Sequence, residues 1–164
     1  MKVLMPFWIG GEPDKLVLGS IAIQSIPCDL TILCSKKDDK NRAGETHNRN
    51  LIFNMMCGLQ KDDFVVMQES DCLHLYNYNI HDMLNYMIFH EECGAVALRH
   101  KGIMKHESHV ELACMMVRCE VAPLVKLTQH PHCLCVQVRQ QIMFDGWNVC
   151  YLDEKERIRM EPRV

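Results

Sequence analysis

The sequence predicts an α/β fold, a layered sandwich of helices around a mostly parallel central sheet. Three observations predict it. Short apolar runs, several of them β-branched, alternate along the chain with longer stretches of helical period. The spacers are long enough for a crossover helix, which parallel pairing requires. The 164 residues, 48% hydrophobic and 24% charged, suit one globular domain, and they contain no internal repeat, linker or low-complexity segment.

Each element has its own reason. Residues 2–6 are an apolar run ended by Pro6, which reads as a buried strand. Residues 12–24 carry Leu16, Val17, Ile21 and Ile23 after Pro13, a helix opened near proline. Residues 30–34 are β-branched and apolar, a second strand. Residues 35–45 are polar without period, a loop. Residues 46–59 place Leu51, Ile52, Met55 and Met56 on one helical face, with Gly58 near the stop. A third strand follows at 64–67, then a helix at 76–89 with Ile80, Met83, Leu84, Met87 and Ile88 at spacings of three and four. Residues 94–98 are a fourth strand, and 99–109 a histidine-rich loop. Residues 110–117 read as a further strand, 120–126 and 131–144 as helices, Asp145-Gly146 as a stop, and 148–152 as the last strand. The rest, 153–164, reads as a charged tail. The domain is placed at residues 1–158, with 159–164 left as tail.

Charge and length exclude some functions. Lys+Arg is 18 and Asp+Glu is 21, a net charge of −3, which gives no support for nucleic-acid binding. The chain is too short for a (β/α)8 barrel of about 250 residues. No run of about 18 apolar residues exists to span a membrane, and the apolar stretch 1–9 is too short for a secretory signal. The ten cysteines sit mostly in apolar runs, so they read as reduced thiols packed in a cytoplasmic protein. The cluster His130-Pro131-His132-Cys133-Leu134-Cys135 offers soft ligands, but H-x-H with C-x-C departs from the spacings that let two ligands converge on zinc.

In open α/β sheets, ligands bind where the strands end. Neither G-x-G-x-x-G nor a P-loop follows any strand here, which disfavours dinucleotide binding and P-loop hydrolysis. After the third strand stands Glu69-Ser70-Asp71. Two carboxylates at i and i+2 can turn to one hard cation, Mg2+ or Mn2+, which then bridges to substrate phosphates. The plain alternative is two solvated acids at a strand end.

The order of segments resembles the GT-A nucleotide-sugar glycosyltransferases of the large inverting family (glycosyltransferase family 2-like). Five pieces carry the resemblance: Met5-Pro6-Phe7-Trp8 after the first strand, Ser20-Ile21-Ala22-Ile23-Gln24-Ser25, Arg49-Asn50 in the following helix, Glu69-Ser70-Asp71 for the family's D-x-D, and Gly146-Trp147 before the last strand. It covers roughly residues 1–158. It implies a nucleotide-diphosphate sugar donor, Mn2+ or Mg2+ held by Glu69 and Asp71, and transfer to an unknown acceptor. It also implies donor contacts from Pro6, Trp8, Asp38, Arg42, Arg49 and Asn50. The arginines would offer forked donors to phosphate, Trp8 a wall for the base, and Asp38 or Asp39 a partner for ribose or base. Each has an ordinary reading beside it: Arg42 in a solvated loop with Lys36 and Lys37, Trp8 as a core anchor, Asn50 as a helix-start residue.

The departures are specific. The family places an acidic base one helix before Gly-Trp, and those positions hold Leu134 and Cys135. The late histidine that joins the family's metal site falls near Arg159. Substitute bases are His106, Glu107, His109 and Glu111. Two other readings therefore stand beside glycosyl transfer. One is a non-catalytic nucleotide-sugar-binding or assembly protein on the same fold, and the other a zinc-bearing module at 130–135.

Overall fold

The computed structural model describes residues 1–8, 12, 14–35, 43–102, 110–129 and 133–161. Three parallel strands come from the first half of the chain. They are β1 (Lys2–Trp8), β2 (Asp29–Ser35) and β3 (Phe64–Gln68). β1 pairs with β2 along its whole length, from Lys2 opposite Asp29 to Trp8 opposite Ser35. It pairs with β3 only from Lys2–Val65 to Leu4–Met67. β1 therefore runs on past β3, and Pro6 lies beyond that second pairing, where a missing N–H is tolerated. β5 (Cys93–Arg99), β6 (Cys114–Arg118) and β7 (Asn148–Glu156) complete a six-stranded sheet of order β2-β1-β3-β6-β5-β7. β6 runs antiparallel to both its neighbours, β3 and β5, while β5 and β7 are parallel. A separate pair joins β4 (Cys72–His74) to β8 (Ile158–Met160).

Helices cover both faces. Side chains alternate along a strand, so neighbouring residues enter opposite cores. Leu4, Val65, Met67, Ala95, Ala97, Met115 and Val117 pack with Ile52, Phe53 and Met56 of α2 (Ala43–Met56), and with Leu134, Val138 and Ile142 of α4 (Leu134–Phe144). Val3, Met5, Val66, Val96, Leu98 and Met116 pack with Val17 and Ile21 of α1 (Lys15–Ala22), and with Ile80, Met83 and Met87 of α3 (Asn79–Phe89). The result is a helix–sheet–helix sandwich around a mostly parallel sheet. Asp14 caps α1, its carboxylate accepting from the Leu16 and Val17 amides at 2.7 and 3.3 Å. Gly146, at φ +89°, ends the turn after α4.

Four expectations change. Residues 110–113 precede β6 rather than belonging to it. Cys119–Leu124 is a 3-10 helix containing Pro123, whose ring and missing N–H oppose an α-helix there. Residues 72–74 form β4, too short for its period to be visible. The supposed tail from 153 on is strand to Glu156 and again over Ile158–Met160. An edge strand tolerates the charges of Asp153-Glu154-Lys155-Glu156 because one side of it faces solvent. Among the described residues no helix is long and apolar enough to cross a membrane.

Candidate functional site

The carboxyl ends of β1, β2, β3 and β5 share one edge of the sheet. Because β6 is antiparallel, the segment leading into it starts at that same edge. Glu69 follows β3, His100 follows β5, and Glu111 precedes β6. The Glu69 amide donates to the carbonyl of Ala113 at 2.9 Å, which ties the acidic turn to the approach of β6.

Buried polar groups build the acidic turn. The Cys72 amide donates back to the Glu69 carbonyl at 3.2 Å. Gln68, fully buried, donates from Nε2 to the Cys72 carbonyl at 2.8 Å and closes the loop from inside. Its Oε1 meets His74 Nε2 at 2.8 Å. Asn79 Nδ2 donates to His74 Nδ1 at 3.2 Å and to the Arg157 carbonyl at 2.8 Å. An amide nitrogen only donates, so Nδ1 accepts and Nε2 carries the hydrogen that Gln68 receives. On the other side, the Glu161 amide donates to the Asp71 carbonyl at 2.7 Å. The turn is thus gripped from β4 and from the end of β8.

Arg49 sits in α2 with 2% of its surface exposed. Its Nη1 lies 3.1 Å from Glu45, and its Nη2 donates to Glu69. Burial alone would lower its pKa, but the charges of Glu69 and Glu45 outweigh it and raise the value, so the guanidinium stays charged. The neighbouring Asn50 spends its amide on the backbone of Leu127, donating at 2.8 Å and accepting at 2.9 Å. Asn48 donates to the Phe7 carbonyl at 2.9 Å and so docks α2 on the end of β1.

A second charged pair stands at the same edge. His100 Nε2 donates to Glu111, and Nδ1 donates to the Lys101 carbonyl at 2.8 Å. Burial pulls the His100 pKa down, yet the hydrogen bond to Glu111 and that to the Lys101 carbonyl raise it overall, with Glu69 adding its charge. Both ring nitrogens face oxygen acceptors, an arrangement that the protonated ring satisfies. The Glu111 amide donates to Tyr151 Oη at 3.1 Å, and Arg99 covers the Tyr151 ring at 4.1 Å.

The sites named from sequence are distributed as follows. Arg49 meets Glu69, and Asp71 lies two residues further along the same turn. Pro6 and Trp8 lie in the last part of β1, opposite Leu33 and Ser35. Asp38, Asp39, Arg42, His106, Glu107, His109 and residues 130–132 lie outside the described residues. Leu134 is fully buried in the core. The Cys135 thiol is pushed well up by its hydrogen bond to Cys133 and by burial, and it bonds to the backbone of Leu112. It is a protonated thiol and no base. Among the described residues, no group of three or more His, Cys, Asp or Glu could hold a metal ion. All ten cysteines are free, with Cys72, Cys93, Cys114 and Cys119 buried and Cys34 and Cys57 exposed.

Sequence reasoning did not single out Glu45, Gln68, His74, His100 or Glu161. The Glu45–Arg49 spacing of four on one helix was a visible signal. The others depend on chain reversals that leave no local pattern.

No protein-family model matches the chain, and no curated protein matches it either. Solved structures do. The chain is similar to a mannosyltransferase from Pyrobaculum calidifontis, solved with GDP-Man and Mn2+, at 10% identity and TM-score 0.68, covering 99% of this chain and 56% of that one. It is similar to the glucosyl-3-phosphoglycerate synthase from Mycobacterium tuberculosis, solved with Mn2+, UDP and phosphoglyceric acid, at 10% identity and TM-score 0.62, covering 99% and 71%. It is also similar to A197 from STIV, at 11% identity and TM-score 0.57, covering 98% and 82%. The chain therefore spans about half the length of the mannosyltransferase. The fold is GT-A-like, as the resemblance implied, in a divergent sequence.

Proposed function

We propose that this chain binds a nucleotide-diphosphate sugar together with Mn2+ or Mg2+ and transfers the sugar to an acceptor hydroxyl. One observation carries the reading: the Glu69–Asp71 turn stands at the carboxyl end of β3, held by buried hydrogen bonds, in a fold shared with nucleotide-sugar transferases. The donor set fits the cation. Small hard cations beside phosphates take one or two protein carboxylates and complete their shell with water and phosphate oxygens. Glu69 and Asp71 would hold it. When bound, the cation neutralises charge on the leaving diphosphate.

The chain's own residues do the rest. Arg49 holds Glu69 in place. Gln68 and His74 keep the turn closed. Pro6, Trp8, Asp38 and Arg42, at or beyond the ends of β1 and β2, remain the proposed donor contacts. Arg49 and Asn50 act from inside the fold, where their side chains meet Glu69 and Leu127.

Calorimetric titration with UDP and GDP sugars, with and without Mn2+, tests this. Binding is expected to need the metal and to weaken by about 10–100-fold or more in Asp71→Ala. Nucleotide binding indifferent to both metal and Asp71 would sink the reading. The non-catalytic binding reading is favoured by one observation, the buried Leu134 and protonated Cys135 at the family's base position. It expects the same binding with no release of nucleoside diphosphate.

A further inference from the structure

We propose that Glu111, held by His100, is the group that takes the proton from the acceptor hydroxyl. This rests on the glycosyl-transfer reading above and gives that site the base it lacks at Cys135.

Four observations lead there. First, the Cys135 thiol is bonded to the backbone of Leu112, so Glu111 is the next residue along from the point where the missing base would sit. Second, Ala113 accepts the Glu69 amide, which places the 111–113 segment against the acidic turn. Third, Glu111 is pre-oriented. His100 binds Oε2, the Glu111 amide is fixed on Tyr151, and Oε1 has no hydrogen-bond partner among the described residues. Its side chain is 23% exposed, enough for a hydroxyl to reach. Fourth, among the described residues the nearby alternatives are spent. Glu45 pairs with Arg49, and both nitrogens of His100 are donors.

The step balances. The acceptor O–H bond breaks and its proton passes to Glu111 Oε1. The acceptor oxygen bonds to the anomeric carbon. The sugar–phosphate bond breaks, and its electron pair leaves on the nucleoside diphosphate. Glu111 returns the proton to solvent after product release. His100 is a positioning residue. The groups facing it are Glu111, Glu69 and the Lys101 carbonyl. Its pKa is raised, so the pairing with Glu111 favours the protonated ring. As pH rises through that value one donor is lost and the hold on Glu111 loosens.

The test uses the whole chain with Mn2+ and either UDP-N-acetylglucosamine or GDP-mannose. Donor binding is read by calorimetry, and nucleoside diphosphate release is read with water as acceptor. Glu111→Gln keeps shape and the Tyr151 bond. It is expected to bind donor within about 2-fold of the unaltered chain and to release product about 100-fold or more slowly, the scale of a lost general base. Glu111→Asp keeps the carboxylate on a shorter arm and should recover about 10-fold of that loss. His100→Gln should slow release and abolish the fall in rate at alkaline pH, a limb that lies above the usual histidine range in the unaltered chain. Full activity in Glu111→Gln, or Glu111→Asp no faster than Glu111→Gln, overturns the inference and leaves glycosyl transfer standing. Metal-dependent donor binding without any release in the unaltered chain overturns it in favour of the non-catalytic reading. Absence of donor binding in the unaltered chain ends the glycosyl-transfer reading itself.

Discussion

Arg49 illustrates how far a single residue can be read before the fold is known. The resemblance gives it to donor phosphates, while the fold places it 2% exposed between Glu45 and Glu69. Removing it would leave two carboxylates facing each other across a desolvated gap. Arg49→Ala is expected to destabilise the chain by about 3 kcal/mol, the lower end for breaking a buried ion pair because both acids keep part of their surface in water. Urea unfolding measures it, and a loss under about 1 kcal/mol would mean the pairing is replaceable by solvent. Glu69 and Asp71 were legible because they end an apolar run, which is a local pattern. The His100–Glu111 contact was not. Eleven residues separate the partners, and only the reversal into β6 brings them together. Glu111 itself was among the four substitute bases, on chemical type alone.

Elements were legible where they were long and periodic. β1, β2, β3, β5 and the four α-helices follow from apolar runs and helical spacing, with ends off by a few residues. β4 and β8 escaped because three residues carry no period, and each is stabilised by the other rather than by its own sequence. The 3-10 helix over Cys119–Leu124 escaped because apolar spacing outweighed Pro123 in the reading. Packing between elements was not legible at all, and Gly94 is an instance. A Cβ there would stand 2.9 Å from Ile142 Cγ2, 3.0 Å from Trp147 Cβ and 3.1 Å from Val121 Cγ1. β5 and α4 approach that closely only because Gly94 has no side chain. Gly94→Ala is expected to cost about 1–3 kcal/mol through overpacking. Thermal melting should register it as a lowered midpoint, and an unchanged midpoint would show that Ile142 can move aside.

At the scale of the molecule, the C-terminal residues are structural. Arg157 binds Asp82 and Asp153, each at 2.7 Å, and Ile158 is fully buried beside β4. A chain ending at Glu156 is expected to lose at least the about 2–5 kcal/mol that truncating a buried isoleucine costs. Chemical unfolding of the shortened chain checks this, and equal stability would restore the tail reading. The sheet order carries a different consequence, for the growing chain during synthesis. β1, β2 and β3 can assemble once residue 68 has been made, and β5 is complete at residue 99. Their facing edges meet only through β6, which ends at residue 118 and bonds to both. Until then β3 and β5 each present an open apolar edge, the kind that recruits strands from other chains. No nascent chain shorter than 118 residues can close the sheet, so the interval between the emergence of β3 and that of β6 is when this protein most needs to be kept from its own copies.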